Sequence, residues 1–238
     1  MRGDRRNRTT HTDEFGTGSD VDTTSVAYCY DGADRLTGTT VTDAPAGASP
    51  VAGSNLTTSA PGASLAYDDH GNTTILADQT LFYDGADRHI GTILTDGTEI
   101  SYLLDAAGGM LARTVTGSPT TGENGTIRYL AGGAIADDDS DVQQWVRSLP
   151  GGVTLTIDVV ANSERWGFPN LHGDIIITTN DTGARQGARA IYDPFGQPIN
   201  PTTWAIGTLT ADDSVPDLIN GDADFGWVGQ HSKYTEHH

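Results

Sequence analysis

The sequence has few of the features that would tie it to a disulfide framework, a membrane or a nucleic acid. Cys29 is its single cysteine, so no disulfide can form within the chain. A single cysteine does not indicate whether the protein works in an oxidising or a reducing compartment. No apolar run is long enough to span a bilayer. The amino terminus, MRGDRRNRTT, lacks the apolar core of a signal peptide.

Basic residues are also scarce. The chain has 13 Lys and Arg against 32 Asp and Glu, and its formal net charge is −19. Such a surface repels nucleic acid and anionic lipid, so we expect neither nucleic-acid binding nor membrane insertion. Much of the acid falls in candidate turns, where Asp is common for conformational reasons, and we interpret the charge as a source of solubility.

Long helical patterns are missing throughout the chain. What is present instead is 30 Gly, 10 Pro and many Thr, with an apolar content of 36%. Thr favours strands, whereas Gly and Pro interrupt regular structure. The composition therefore predicts an all-β fold of many short strands and turns.

One hexapeptide, YDGADR, occurs twice, at residues 30–35 and 83–88. Its frame is two apolar residues flanking a variable one, followed by Asp, two variable residues and Gly or Asp. Alternate residues of a strand share a face, so the two apolar positions would point into one core. The tetrapeptide suits a type I turn closed by a left-handed residue, a known three-residue hairpin connection. Turns are predicted at 31–34, 68–71, 84–87, 105–108 and 193–196.

Each copy thus predicts a strand, a tight turn and a second strand. We assign its aspartates to turn formation and not to ligand binding. In the last copy Pro194 presets the backbone of the turn, and in the hexapeptides Asp replaces the closing Gly at little cost. The repeat-defining residues are Tyr30, Asp31, Asp34, Tyr67, Asp68, Gly71, Tyr83, Asp84, Asp87, Leu104, Asp105, Gly108, Tyr192, Asp193, Pro194 and Gly196.

Because one hairpin is marginal in water, successive hairpins should pack side by side as antiparallel β-hairpins in a curved ribbon. The frame degenerates after Leu104, but strands are still suggested at 126–130, 143–149, 153–160, 165–168 and 174–179. Flexible loops are expected at about 43–63, 117–125 and 200–224, the first because it is rich in Pro, Gly, Ser and Ala. We treat residues 1–238 as a single repeat region.

The five frames, together with NLHGD at 170–174 and YDPFG at 192–196, resemble the rearrangement-hotspot (RHS), or YD-repeat, proteins, and the later run is similar to actinobacterial members. The resemblance covers the chain from about residue 7 to 231. It implies a β-ribbon that spirals into a hollow shell, which in bacterial toxins encloses a C-terminal toxic domain and in other members sits at the cell surface. An extracellular or cell-surface location is implied in the same way.

The chain departs from the family pattern at both ends. NRTT at 7–10 resembles the second half of a repeat, and the sequence stops at GQHSKYTEHH without the self-cleaving region or toxin. We therefore expect a fragment of an RHS core, a partial β-shell whose partners would be the remainder of the shell and an enclosed toxin domain.

Two acidic runs resemble the start of a calcium-binding loop. The run that starts at Asp137 has Val142 and Ser148 where an EF-hand needs Gly and Glu, and the run that starts at Asn220 fails likewise with Phe225 and His231. No catalytic motif, phosphate loop or dinucleotide fingerprint is present. We expect no enzyme activity, no cofactor and no metal, and we expect Cys29 to be a packed small hydrophobe.

Two functions stay open at this point. The first is a non-catalytic structural segment of a β-shell. The second is a carbohydrate or cell-wall binding module, in which Trp145, Trp166, Trp204 and Trp227 stack on sugars, although such residues are more often core or loop anchors. Both would use the same hairpins.

Overall fold

A computed structural model describes residues 8–17, 20–120, 124–137, 139–192, 199–200 and 202–203 of the protein. Within these residues the chain is nearly all strand, which confirms the predicted all-β fold. The strands are β1 (Thr10–Thr17), β2 (Asp20–Tyr30), β3 (Leu36–Thr42), β4 (Leu65–Tyr67), β5 (Thr73–Leu76), β6 (Gln79–Tyr83), β7 (His89–Leu94), β8 (Glu99–Leu104), β9 (Met110–Thr116), β10 (Gly125–Leu130), β11 (Ala134–Ala136), β12 (Val142–Ser148), β13 (Thr154–Asp158), β14 (Ser163–Pro169), β15 (Ile175–Asn180) and β16 (Arg185–Gln186).

Within each of two sheets, every strand pairs antiparallel with its neighbours in sequence. Strands β1 to β3 form a three-stranded sheet, and β4 to β16 form an open thirteen-stranded sheet in chain order. Helical structure in the described residues amounts to α1 (Pro50–Gly53) and one 3₁₀ turn (Pro150–Gly152). The architecture is the succession of hairpins that the repeat frame predicts.

Alternation of side chains explains which face of each hairpin is buried. In β8, Ile100 and Tyr102 are buried, whereas Ser101 between them is exposed and Leu103, which follows Tyr102, is 57% exposed. Val115 of β9 pairs with Ile100 and completes a small core, against which Leu104 and Met110 pack. The apolar positions of the repeat frame therefore share one face, as a period of two requires.

A different set of residues is buried further along the sheet. In β13 the buried residues are Thr154 and Thr156, whereas Leu155 between them is only half-buried. Thr154 pairs with Gly167 of β14, and Gly167 pairs with Thr178 of β15, which is also buried. In this part of the sheet Thr and Gly residues share the buried face with Ile175, which is 2% exposed, whereas Leu155 lies on the opposite face.

The segment at 43–63, for which a flexible loop was predicted, makes ordered contacts with both sheets. Leu56 is buried, its carbonyl accepts from the Thr39 amide at 3.0 Å, and the Thr58 amide donates to the Thr37 carbonyl at 3.1 Å. On its other side the Thr57 carbonyl accepts from the Leu65 amide of β4 at 3.1 Å. Residues 56–58 thus join β3 to β4 like a short strand, while the mobility of the segment stays a prediction.

The five strands predicted in the degenerate region are all present, with ends shifted by a few residues. Strands β11 and β16 were not predicted. The loop predicted at 117–125 ends one residue early, because Gly125 already pairs with Val115. The predicted turn at 193–196 and nearly all of the loop at 200–224 lie outside the described residues, as do Asp193, Pro194 and Gly196.

One expectation about a single residue was wrong. Cys29 was expected to be packed, but its side chain is exposed. The reason is alternation along β2, which turns Tyr28 and Tyr30 toward the partly buried face and Cys29 toward solvent.

Candidate functional site: the aspartate turn ladder

The four predicted turns that the structure describes have one geometry, a five-residue turn closed by two backbone hydrogen bonds. The amide of position 1 donates to the carbonyl of position 5, and the amide of position 4 donates to the carbonyl of position 1. Position 4 has a left-handed backbone, with φ of 64° at Asp34, 95° at Gly71, 59° at Asp87 and 89° at Gly108. This is a type I turn with a bulge, and the strand register shifts next to it.

The aspartate at position 1 holds the turn through its side chain. Asp84 Oδ1 accepts the amides of Ala86 at 2.9 Å and Arg88 at 3.1 Å, and its Oδ2 accepts from Arg88 Nε at 2.8 Å. The first YDGADR copy repeats these contacts, with Arg35 Nε 2.8 Å from Asp31 Oδ2. A carboxylate at position 1 thus satisfies two backbone donors that the turn would otherwise leave to water.

The residue at position 5 belongs to the repeat, although the sequence frame ended at position 4. Arg35, Asn72 and Arg88 each donate a side-chain hydrogen bond to the second oxygen of their own aspartate. The signal was visible in the sequence as Asp followed four residues later by Arg or Asn. It was missed because Gly109 breaks the pattern in the fourth copy.

The same backbone turn occurs at four further places that were not predicted, 94–98, 137–141, 170–174 and 180–184. Asp137, which was tested as the start of a calcium loop, instead accepts the amides of Asp139 and Asp141. In the turns at 170–174 and 180–184 an asparagine replaces aspartate at position 1 and accepts through its amide oxygen, whereas the turn at 94–98 has Leu94 there.

Successive turns on one edge of the ribbon contact one another, and we call the four at 31–35, 68–72, 84–88 and 105–109 the turn ladder. Repeat tyrosines link them, because the Tyr67 hydroxyl donates to the Leu36 carbonyl and the Tyr83 hydroxyl to the Thr73 carbonyl, both at 2.9 Å. Each acceptor directly follows the preceding turn. Where Leu104 replaces the tyrosine, Arg88 Nη1 donates to the Asp105 carbonyl at 2.8 Å instead.

Hydrogen bonding in the ladder shifts the ionisation of its carboxyls. The backbone and side-chain donors of Arg35 lower the pKa of Asp31, and the Arg88 side chain and amide lower the pKa of Asp84. The side chain of Asn72 lowers the pKa of Asp68. The lowered pKa of each of these three carboxyls favours its ionised form, which suits its role as an acceptor.

One contact in the ladder involves a histidine. His70 Nδ1 lies 2.7 Å from Asp87 Oδ1, and Asn72 Nδ2 donates to the same oxygen at 2.9 Å. The hydrogen bond and the charge of Asp87, followed by the charge of Asp68, raise the pKa of His70. The Asn72 and His70 hydrogen bonds lower the pKa of Asp87.

Three further findings concern metal-binding groups, membrane helices and the tryptophans in the part of the chain that the structure describes. Its acidic, histidine and cysteine side chains form no group of three or more that could hold a metal. None of its helices is long and apolar enough to cross a membrane. Trp145 is half-buried with the Arg147 guanidinium carbon 4.7 Å from its ring centroid, Trp166 is half-buried, and Trp204 and Trp227 lie outside the described residues.

The fold is similar to chains of bacterial toxin complexes. A Tc holotoxin pore from Photorhabdus luminescens, with a mutant TccC3, matches at 14% identity with a TM-score of 0.52, over 92% of this chain and 12% of that one. A TcdB2–TccC3–Cdc42 structure matches at 13% identity with a TM-score of 0.52, over 93% of this chain and 13% of that one. A TcdB2–TccC3 structure matches at 14% identity with a TM-score of 0.52, over 92% of this chain and 13% of that one.

The protein thus spans about an eighth of the length of the toxin chains that it resembles, and at this identity the likeness concerns the fold alone. No family model and no curated protein matches the sequence.

Proposed function

We propose that this chain is a non-catalytic wall segment of an RHS/YD-repeat β-shell. The observation that carries the proposal is the turn ladder, in which the polar groups of the repeat frame are occupied by the architecture itself. The carboxylate of Asp84 is hydrogen-bonded within its own turn, and the Tyr83 hydroxyl reaches back to the preceding hairpin. Such groups fix hairpin to hairpin and are not positioned to act on a substrate.

The likeness to the Tc toxin chains supports the same interpretation. Those chains are part of structures described as a holotoxin pore and as TcdB2–TccC3 complexes. By analogy, the partners of this segment are the remainder of a shell and an enclosed C-terminal toxin domain, or a target cell in contact with a surface protein. An extracellular or cell-surface location and an actinobacterial type follow from the sequence resemblance and belong to the same proposal.

Electron microscopy of the protein as its gene encodes it tests the shell. We expect a hollow particle with the ribbon of this segment in its wall. Limited proteolysis adds a second readout, because an enclosed domain resists protease until the wall unfolds. An extended, open ribbon whose neighbouring segments are cut at once would contradict the proposal.

Carbohydrate or cell-wall binding stays a prediction. Trp145 and Trp166 lie on the same face of the sheet, since Trp145 pairs with Ile157 and Trp166 with Leu155. However, Arg147 covers one side of the Trp145 ring, which leaves less of it for stacking. A glycan array would support this alternative if binding were found and were lost in Trp166→Ala.

A further inference from the structure

Two neighbouring turns of the ladder are linked by an imidazole, a side chain that can change its charge state. His70 stands at position 3 of the turn at 68–72 and reaches Asp87, at position 4 of the turn at 84–88, with Nδ1 and Oδ1 2.7 Å apart. The other links in the ladder use groups that keep their charge state, since Arg35 lies over the Tyr67 ring at 5.3 Å and Arg88 donates to a carbonyl.

The Asp87 carboxylate makes hydrogen bonds outside its own turn, to His70 and Asn72. Asp87 has φ of 59°, a left-handed conformation that costs an L-residue more than glycine. Gly71 and Gly108 occupy the equivalent position in two neighbouring turns. At Asp87 the side chain gains two donors from the adjacent turn, His70 and Asn72.

We propose that His70 and Asp87 form a pH-sensitive latch between the hairpin of β4 and β5 and the hairpin of β6 and β7. Protonated His70 is bound to the Asp87 carboxylate and holds the two turns together. Neutral His70 loses the ionic part of that contact, and the two turns then move more independently.

The charges around the latch favour the closed form. Asp68 in the same turn and Asp87 in the next are the acidic groups that act on His70, and exposed Asp69 adjoins it in the chain. Arg88, which follows Asp87 in the chain, is engaged by Asp84 at 2.7 Å and by the Asp105 carbonyl. The surroundings of the imidazole are therefore net negative, which stabilises the imidazolium.

The direction of the pH effect follows from the two shifted pKa values. Because the pKa of His70 is raised above 6.5, its stabilising contribution is complete below 6.5 and is lost as pH rises through the raised value. Because the pKa of Asp87 is lowered below 3.8, its contribution is present above 3.8 and is lost as pH falls through the lowered value. The latch is closed in mild acid and opens on the alkaline side.

Opening the latch weakens the connection between the turns at 68–72 and 84–88 but does not separate their hairpins. The Tyr83 hydroxyl still donates to the Thr73 carbonyl, and burial raises the pKa of this tyrosine above 10, so the link does not titrate with His70. The ribbon would thus be stiffer at this point in mild acid than at neutral pH.

Nuclear magnetic resonance titration of the full chain tests the latch, with Asp87→Gly as the disrupting variant and His172→Gln as the matched control. Glycine fits the left-handed position, so the turn should survive in Asp87→Gly. His172 also stands at position 3 of a turn, but its Asp174 partner, 2.9 Å away, lies in the same turn. We expect the His70 pKa to lie above 6.5, to fall in Asp87→Gly and to be unchanged in His172→Gln.

Amide hydrogen exchange at Asp87 and Gly71 tests the mechanical consequence. Relative to His70→Gln at the same pH, exchange in the natural protein should be about two- to five-fold slower at pH 6, and the ratio should approach one at pH 9. A His70 pKa at or below 6.5, a pKa insensitive to Asp87→Gly, or a pH-independent exchange ratio would each overturn the proposal.

Discussion

Residues 65–116 and 142–180 form hairpins of the same topology but bury different side chains. In the first region, aliphatic and aromatic residues such as Ile100, Tyr102 and Val115 fill the buried face. In the second, Thr154 and Gly167 lie on the buried face, and Leu155 lies on the outer one. The difference teaches that the ribbon depends on turn chemistry for its topology and only locally on an apolar core.

The largest expected effect comes from the core of the first region. Ile100→Ala should lower the free energy of unfolding by about 2–5 kcal/mol, because Ile100 is 3% exposed and its loss leaves a cavity. Leu155→Ala in the second region should cost about 1 kcal/mol, since the side chain is only half-buried. Denaturant unfolding measures both, with exposed Leu103→Ala as control. Equal losses for Ile100→Ala and Leu155→Ala would remove the contrast between the regions.

Overpacking should be most visible in the second region. A Cβ at Gly167 would collide with Thr154 Oγ1 and lie 3.0 Å from Ile175 Cγ2, so Gly167→Ala should cost about 1–3 kcal/mol. Removing the hydroxyl with Thr154→Ala should relieve part of that cost in the double variant. A double-mutant cycle by thermal unfolding measures the coupling. Strictly additive effects would show that the two residues do not share this space.

Removing a hydrogen bond between hairpins should lower the free energy of unfolding less than removing a buried side chain. Tyr83→Phe removes the 2.9 Å hydrogen bond to the Thr73 carbonyl and should cost about 0.5–1.5 kcal/mol. Phe82→Leu, a change at a 44% exposed neighbour, serves as the control. Calorimetric unfolding compares the two variants. A Tyr83→Phe variant as stable as its parent would mean that ring packing alone connects these hairpins.

The smallest expected effect is on amide hydrogen exchange in acid, which should differ between turns with aspartate and turns with asparagine at position 1. The pKa of Asp84 is lowered from 3.8, so its contribution is present above 3.8 and is lost as pH falls through the lowered value. The turn at 180–184 has Asn180 in that place and should not respond. Amide exchange of Arg88 relative to Ala184 should accelerate about two- to five-fold in strong acid, and Asp84→Asn should abolish the change. Parallel acceleration at both amides would indicate global acid unfolding.

The sequence predicted the fold because its strongest signals are local. A period of two in the strands and Asp with Gly or Asp at fixed offsets determine a hairpin without reference to the rest of the chain. The turn at 84–87 was placed correctly for this reason, and so were the strands of the degenerate region.

What the sequence did not predict depends on contacts between hairpins. The tie between His70 and Asp87 spans 17 residues, and no local pattern marks it. The burial of Thr154 and Thr156 was missed because threonine at alternate positions resembles a solvent-facing strand edge. Residues 56–58 fall in the predicted loop because the segment around them is rich in Pro and Gly, and its composition gives no sign that these three residues join β3 to β4.

That three-residue join determines how the ribbon would carry mechanical load. Between β3 and β4 the sheet is continuous only through residues 56–58, whose backbone hydrogen bonds reach Thr37 and Thr39 on one side and Leu65 on the other. The junctions within the thirteen-stranded sheet are instead hairpins whose strands pair directly. Under tension the ribbon would be held between β3 and β4 by residues 56–58 and the side-chain hydrogen bonds around them, and not by a hairpin. The force at which this junction opens therefore measures the strength of the three-residue join.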